Sequence, residues 1–221
     1  MPLKKKDFIE IEFTGRVKEG EIFDSNIKDD LKKMSKNTKA EQKPFIFSLG
    51  EGMFLKGVDD FLIGKELGEY EIELSPEKAF GARNSEFIKI IPSRIFKEHD
   101  VAPIPGATFN FDGRIAKILT VSGGRIIADF NHPLAGKTVL YKIKILRKID
   151  GLNEKIKSFV NFLFHKDIKF EVKEDKIILE VEKPMVKFVE LFGEKFKDIF
   201  NLNMEVIESL PNKVKHKEKT A

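Results

Sequence analysis

The sequence predicts an α+β fold, and three patterns carry that reading. Apolar and polar residues alternate over 7–17, 44–50, 69–74 and 138–149, the two-residue period of half-buried strands, and one short stretch at 58–64 has helical spacing instead. Between 84 and 130 the pattern breaks into three short strands, and beyond Asp150-Gly151 a helical period takes over.

The elements follow in order. The alternation at 7–17 meets Lys18-Glu19-Gly20-Glu21 and returns as Ile22-Phe23-Asp24, a β-hairpin. The Lys-rich segment 27–43 reads as a long surface loop with a helical turn at 29–34. A strand at 44–50, an amphipathic helix ending at Gly64 and a strand at 69–74 come next, and Ser75-Pro76 stops the last of them. Residues 87–91 are apolar, Pro92 is expected to open a helical turn, and Asp112-Gly113 and Ser122-Gly123-Gly124 separate strands at 108–112, 114–121 and 125–129. After 150 the pattern reads helix, hairpin (168–172 and 177–181), a second helix over 184–200 with a broad apolar face, and a last strand at 204–207.

With 221 residues, 41% of them hydrophobic, the chain can bury a substantial core divided among one to three domains. No run approaches the roughly 18 apolar residues of a membrane span, and Met1-Pro2-Leu3-Lys4-Lys5-Lys6 leads into a strand rather than a signal core, so no membrane partner and a cytoplasmic location are expected. The absence of cysteine excludes disulfides and thiolate chemistry. The four histidines, His99, His132, His165 and His216, are scattered, so no metal site is expected, and His132 is read as holding a turn. A charged fraction of 34%, rich in Lys and Glu, leans toward a protein that works hot. The net charge of +4 is small beside 40 basic and 36 acidic side chains. A nucleic-acid partner therefore rests on the Lys-rich tail alone, and such a tail is usually a solvated end.

Five short runs carry a resemblance: Ile11-Glu12-Phe13-Thr14-Gly15, Phe23-Asp24-Ser25, Lys56-Gly57, Ala79-Phe80-Gly81 and Asn131-His132-Pro133-Leu134-Ala135-Gly136. Over 6–81 and 129–149 the chain resembles the FK506-binding-protein (FKBP) type of prolyl isomerase. Its last run is similar to the SlyD-like branch, in which a small domain is inserted beside the active site. The resemblance implies an FKBP-like antiparallel half-barrel wrapped on a short helix at 1–84 and 129–150, and an inserted chaperone domain at 85–128. It also implies a C-terminal α/β domain at 151–210, as in long archaeal-type members, with a Lys-rich tail at 211–221.

The resemblance implies peptidyl-prolyl cis-trans isomerisation without a cofactor. It places Asp24, Phe13, Phe23, Phe80 and Tyr141 at catalytic positions, and Phe45, Phe54, Leu55 and Val58 around the proline ring. An apolar pocket suits the reaction: the barrier of about 18–20 kcal/mol comes from amide resonance that puts charge on the carbonyl oxygen, and a dry site disfavours that planar form. Asp24 would orient the twisted amide rather than act as a base, since no net proton moves. Where this chain has Phe13 and Phe80 many members have tyrosine, and Val58 replaces the common tryptophan. Each missing hydrogen bond is worth about 0.5–1.5 kcal/mol, so activity is expected to be weakened, not abolished.

In the insert, Ile88, Ile90, Ile91, Phe96, Ile115 and Ile118 exceed what so small a unit easily hides, which implies a surface for unfolded or proline-containing polypeptides. The competing reading for each is the insert's own core. The apolar helix at 184–200 is expected to cover its own sheet, to bind clients, or to pair two subunits as a homodimer. A different class of function is a holdase built on the same fold with a vestigial pocket.

Overall fold

Alternation in the first segment becomes β1 (Phe8–Val17), the strand on which the largest sheet is built. In the computed structural model, which describes residues 1–34, 44–98 and 100–209, β1 pairs antiparallel with β9 (Val139–Lys148) along nearly its whole length. Its other edge is shared: β3 (Phe45–Ser48) pairs with Phe8–Ile11 and β2 (Ile22–Ser25) with Thr14–Arg16. β4 (Gly68–Leu74) completes the sheet on the far side of β9, so every pairing is antiparallel. A short helix, α1 (Lys28–Met34), stands where the helical turn was expected. The rest of that loop at 35–43, His99 and the tail with His216 lie outside the described residues.

Helix α2 (Lys56–Leu62) buries Val58 and Leu62 completely against this sheet. It can lie so close because residue 57 is glycine. A Cβ there would stand 2.5 Å from the Lys78 carbonyl oxygen and 2.7 Å from Leu74 Cδ2. Gly57→Ala is therefore expected to destabilise the fold by about 1–3 kcal/mol, read as a lower urea midpoint at unchanged m-value.

A second sheet has the order β5 (Ile88–Pro92), β8 (Arg125–Asp129), β7 (Arg114–Ser122), β6 (Thr108–Phe111), also antiparallel throughout. Pro92 closes β5 opposite Arg125, and the helical turn begins one residue later in α3 (Ser93–Glu98). This sheet has its own core of Ile91, Phe96, Ala116, Ile118, Ile126 and Ala128.

The chain enters and leaves the second sheet side by side. Asn131 Oδ1 accepts the Asn84 N–H and its Nδ2 donates to the Asn84 carbonyl, both at 2.9 Å, so one side chain replaces a rung of ladder. The Arg83 guanidinium lies 2.6 Å from the Asp129 carboxylate. Burial alone would raise the Asp129 carboxyl, but hydrogen bonds from Asn131 and Arg83 outweigh it and hold the group below its usual range.

Beyond residue 150, α4 (Leu152–Phe164) leads to a mixed sheet in which β11 (Lys176–Val181) pairs antiparallel with β10 (Lys169–Lys173) and parallel with β12 (Asn203–Glu208). The single helix expected at 184–200 is instead a 3₁₀ turn (Lys183–Met185), α5 (Val186–Glu190) and α6 (Gly193–Phe200). The break falls just before Gly193, a poor helix former. It lets Phe192 pack edge-on to Phe164 while Phe196 packs on Phe159, each at 5.3 Å. The core here is continuous with that of the first sheet. Phe200 stacks on Phe8, Lys6 pairs with Asp198 at 2.7 Å, and Arg147 bridges Glu10 and Glu154. Among the described residues no helix is long and apolar enough to cross a membrane.

Candidate functional site

The strands of the first sheet and the chain before α2 gather a connected set of rings. Phe13 of β1 lies 5.0 Å from Phe54 and 6.3 Å from Phe45 between centroids; Phe54 lies 5.6 Å from both Phe45 and Tyr141. Tyr141 of β9 meets Phe23 of β2 edge-on at 5.9 Å, and Phe23 meets Phe80 at 5.6 Å. The expected pocket aromatics, distant in sequence, are thus one cluster. Leu55 is half-buried at its margin, whereas Val58 is fully buried in the core beneath.

Register explains the geometry. Gly15 stands opposite Asp24 on one side of β1 and opposite Tyr141 on the other. A Cβ at Gly15 would come within 2.9 Å of the Tyr141 ring and 3.1 Å of the Phe23 ring, so the missing side chain is the space in which those rings meet. Two residues earlier, Phe13 is held by a side chain acting as strand: Asn26 Oδ1 accepts the Phe13 N–H at 2.7 Å and Nδ2 donates to the Ile11 carbonyl at 2.9 Å, filling the gap between β2 and β3. The Ser25 hydroxyl donates to the Phe13 carbonyl at 2.9 Å.

Asp24 is the carboxylate beside these rings. Its burial raises its carboxyl above the ordinary value, opposed by a backbone hydrogen bond from Ser25. Tyr141, almost fully buried, is likewise pushed up, first by desolvation and then by the Asp24 charge, which places the two groups within each other's field. Beside Asp24, a phenol that keeps its proton can donate a hydrogen bond to an amide from one side while the carboxylate accepts from the other.

Several contributors escaped sequence reasoning. His132 does hold its turn, accepting the Leu134 N–H on Nδ1 at 3.2 Å, but its ring also stacks on Phe80 at 4.8 Å with an interplanar angle of 3°. Phe47 joins the cluster from behind, 5.5 Å from Phe54. Gly15 belongs to a motif whose residues were legible and Asn26 directly follows one, but the roles of both require the register. Among the described residues no group of His, Asp and Glu is placed to hold a metal ion.

The insert residues divide. Ile91, Phe96 and Ile118 form the core of the second sheet, 9%, 4% and 0% exposed, which removes them from the accessible surface expected to meet a client. Ile91 and Ile118 lie on the inner side of the pleat, and Phe96 of α3 packs into the same core. Ile90 and Ile115 are 65% and 62% exposed, and Ile88 is half-buried. Pairing of Ile88 with Asp129 and of Ile90 with Ile127 puts these on the outer face. Ile115 and Lys117 of that face, with Arg83, Phe130, His132 and Pro133, line a cleft of about 1060 Å³ between the second sheet and the turn after it.

Comparison with known proteins agrees with this geometry. Residues 89–134 match the family described as FKBP26, IF domain. The chain is 32% identical over 146 residues to the short-type peptidyl-prolyl cis-trans isomerase of Methanocaldococcus jannaschii, a match spanning 65% of this chain and 92% of that protein. It is 33% identical over 118 residues to the FKBP-type 16 kDa peptidyl-prolyl cis-trans isomerase of Escherichia coli, covering 51% of this chain and 78% of the relative. A Helicobacter pylori protein named SlyD is 28% identical over 109 residues, 48% of this chain and 59% of its own. With an antiparallel sheet closed on a short helix, a ring-lined site beside Asp24, and a relative matched over nearly its full length, the chain belongs to the FKBP-type family of peptidyl-prolyl cis-trans isomerases.

Proposed function

We propose that the protein isomerises X-Pro bonds in unfolded chains that it holds on the outer face of the second sheet, acting as isomerase and folding chaperone together. The observation that carries this reading is the place of His132: it lines the cleft under that face and stacks on Phe80 of the ring cluster, so a chain in the cleft lies at the pocket's edge. In this reading residues 85–128 are an inserted chaperone domain, and Phe13, Phe23, Asp24, Phe80 and Tyr141 carry the catalysis. Phe45, Phe54 and Leu55 hold the proline above Val58. Exposed Ile90 and Ile115 supply apolar contact, and the edge strands β5 and β6 offer unpaired ladder groups to an extended client.

Turnover arises from the environment. Removing water from a planar amide weakens its charge-separated resonance form, and Asp24 holds the twisted form once reached. Replacing Asp24 by Ala is expected to lower kcat/KM for a proline peptide about tenfold to a hundredfold, the worth of a hydrogen bond to a charged group. It should leave suppression of aggregation intact, while removal of 85–128 should do mainly the reverse. Wild-type suppression of aggregation without acceleration of a proline-limited refolding phase would instead identify a holdase. A homodimer through the C-terminal unit is part of the proposal, motivated by Phe188 and Leu191, which remain 50% and 77% exposed beside the helix break. A monomer mass in light scattering at micromolar concentration would exclude it.

A further inference from the structure

We propose that the C-terminal unit supplies a second subsite for the polypeptide substrate, in the cleft between β3 and α4, so that one extended chain is gripped on both sides of its proline. This rests on the isomerase reading above and extends it to a part of the molecule that reading leaves without a role in the reaction.

The cleft measures about 470 Å³ and is walled by Pro44, Phe45 and Ile46 on the β3 side and by Lys157, Asn161 and Phe162 of α4. Its inner wall is a pocket residue: the Phe45 ring packs against Phe13 and Phe54. The rings form a row, His132, Phe80, Phe23, Tyr141, Phe54, Phe45, with neighbouring centroids between 4.8 and 5.9 Å apart. His132 lines the cleft under the second sheet and Phe45 lines this one, so the two clefts open at opposite ends of one aromatic row. An extended chain rises about 3.3 Å per residue, so about eight residues suffice to reach both clefts with a proline over the rings between them.

The walls specify the occupant. Pro44, Phe45, Ile46 and Phe162 suit an apolar side chain on an extended polypeptide. The acidic residue at the cleft, Glu154, is already paired with Arg147, and Lys157 at the rim leaves a cationic mouth. The unit is held rigidly enough to serve, because its core is continuous with that of the first sheet. The subsite thus favours unfolded segments with an apolar residue a few positions from the proline, over isolated prolines in polar sequence.

The test compares kcat/KM for a short X-Pro tetrapeptide with peptides lengthened by four apolar residues on one side of the proline or the other. One extension is expected to raise kcat/KM about tenfold, the worth of burying one large apolar side chain. The ratio of long to short peptide within the same protein should fall close to one in Phe162→Ala. Because Phe162 also packs against the core, a second measurement uses the wild-type protein and a peptide carrying a photoreactive benzophenone residue in the favoured extension. Adducts on residues 154–165 support the subsite. Equal rates for all peptides, or adducts confined to 85–137, overturn it while leaving the isomerase reading in place. Failure to turn over even the tetrapeptide overturns both.

Discussion

Between pH 4 and pH 8 the wild-type protein is expected to lose about 4 kcal/mol of stability through a single carboxyl, and Asp59→Asn to lose none of that component. Asp59 sits on α2 at 3% exposure, and among the described residues its Oδ1 has no hydrogen-bond partner. Burial pushes its carboxyl from 3.8 up to about 7, against backbone hydrogen bonds from Gly50 and Gly52, with the Asp60 and Glu51 charges adding to the rise. A raised value means that the folded state holds the proton where the unfolded state has released it. The stabilisation is therefore complete below the unfolded value and lost as pH climbs through about 7. Asp24, whose carboxyl burial also raises, acts in the same sense, so Asp24→Asn is measured alongside to apportion the loss. Asp7 and Asp129, held below their ordinary value, act in the opposite sense and in more acid solution. Urea midpoints at pH 4, 6 and 8 measure the effect; a variant that keeps the wild-type slope would clear Asp59 of responsibility. The same carboxylate anchors the turn that leads to Phe54 and Leu55, so catalysis should be compared at matched fractions of folded protein.

Gly15→Val is expected to lower kcat/KM about a hundredfold, because a displacement of about 1 Å in a catalytic constellation has that scale of effect. Even a single Cβ at this position would meet the Tyr141 and Phe23 rings at 2.9 and 3.1 Å, and Tyr141 is 1% exposed with nowhere to retreat. The stability cost, about 1–3 kcal/mol for an overpacked site, is of the same size as the roughly 2.7 kcal/mol that a hundredfold loss of rate represents, so folding is measured independently. Stopped-flow isomerisation of a proline peptide, with circular dichroism to confirm folding, separates the two. Near-normal rates in a folded variant would mean that the packing of Tyr141 on Phe23 is irrelevant to turnover.

Strands and turns of this chain were legible because their signals are local. The alternation at 7–17 and 138–149 became β1 and β9, and the Asp112-Gly113 and Ser122-Gly123-Gly124 turns fell where glycine supplies the backbone freedom they need. The segment 184–200 misled because helical spacing persists across a break: Val189 and Phe196 are both fully buried although α5 and α6 are separate. The aromatics of the site could be read from motifs, yet their neighbours depend on register. Nothing local separates Phe47, deep in the cluster, from Phe45 at a cleft, or says that Asn26 will stand in for a strand. Asp59 shows the same limit, since Asp59 and Asp60 are adjacent and alike, and only the packing of α2 buries the first. Ile91 and Ile90 are also adjacent and alike, and the pleat hides one and exposes the other.

The order in which the parts arrive has a cost for synthesis. β9 is the strand that separates β1 from β4, and Ile9 pairs with Lys148, so the first sheet cannot close until nearly 150 residues have left the ribosome. Until then β1 and β4 each present a bare edge, the kind of surface that pairs with the wrong chain. The second sheet is complete by Asp129 and has its own core, so it can fold while that wait continues. A protein whose family relieves slow steps in the folding of others carries one of its own, set by topology, and the nascent chain meets its exposed period with the second sheet already assembled.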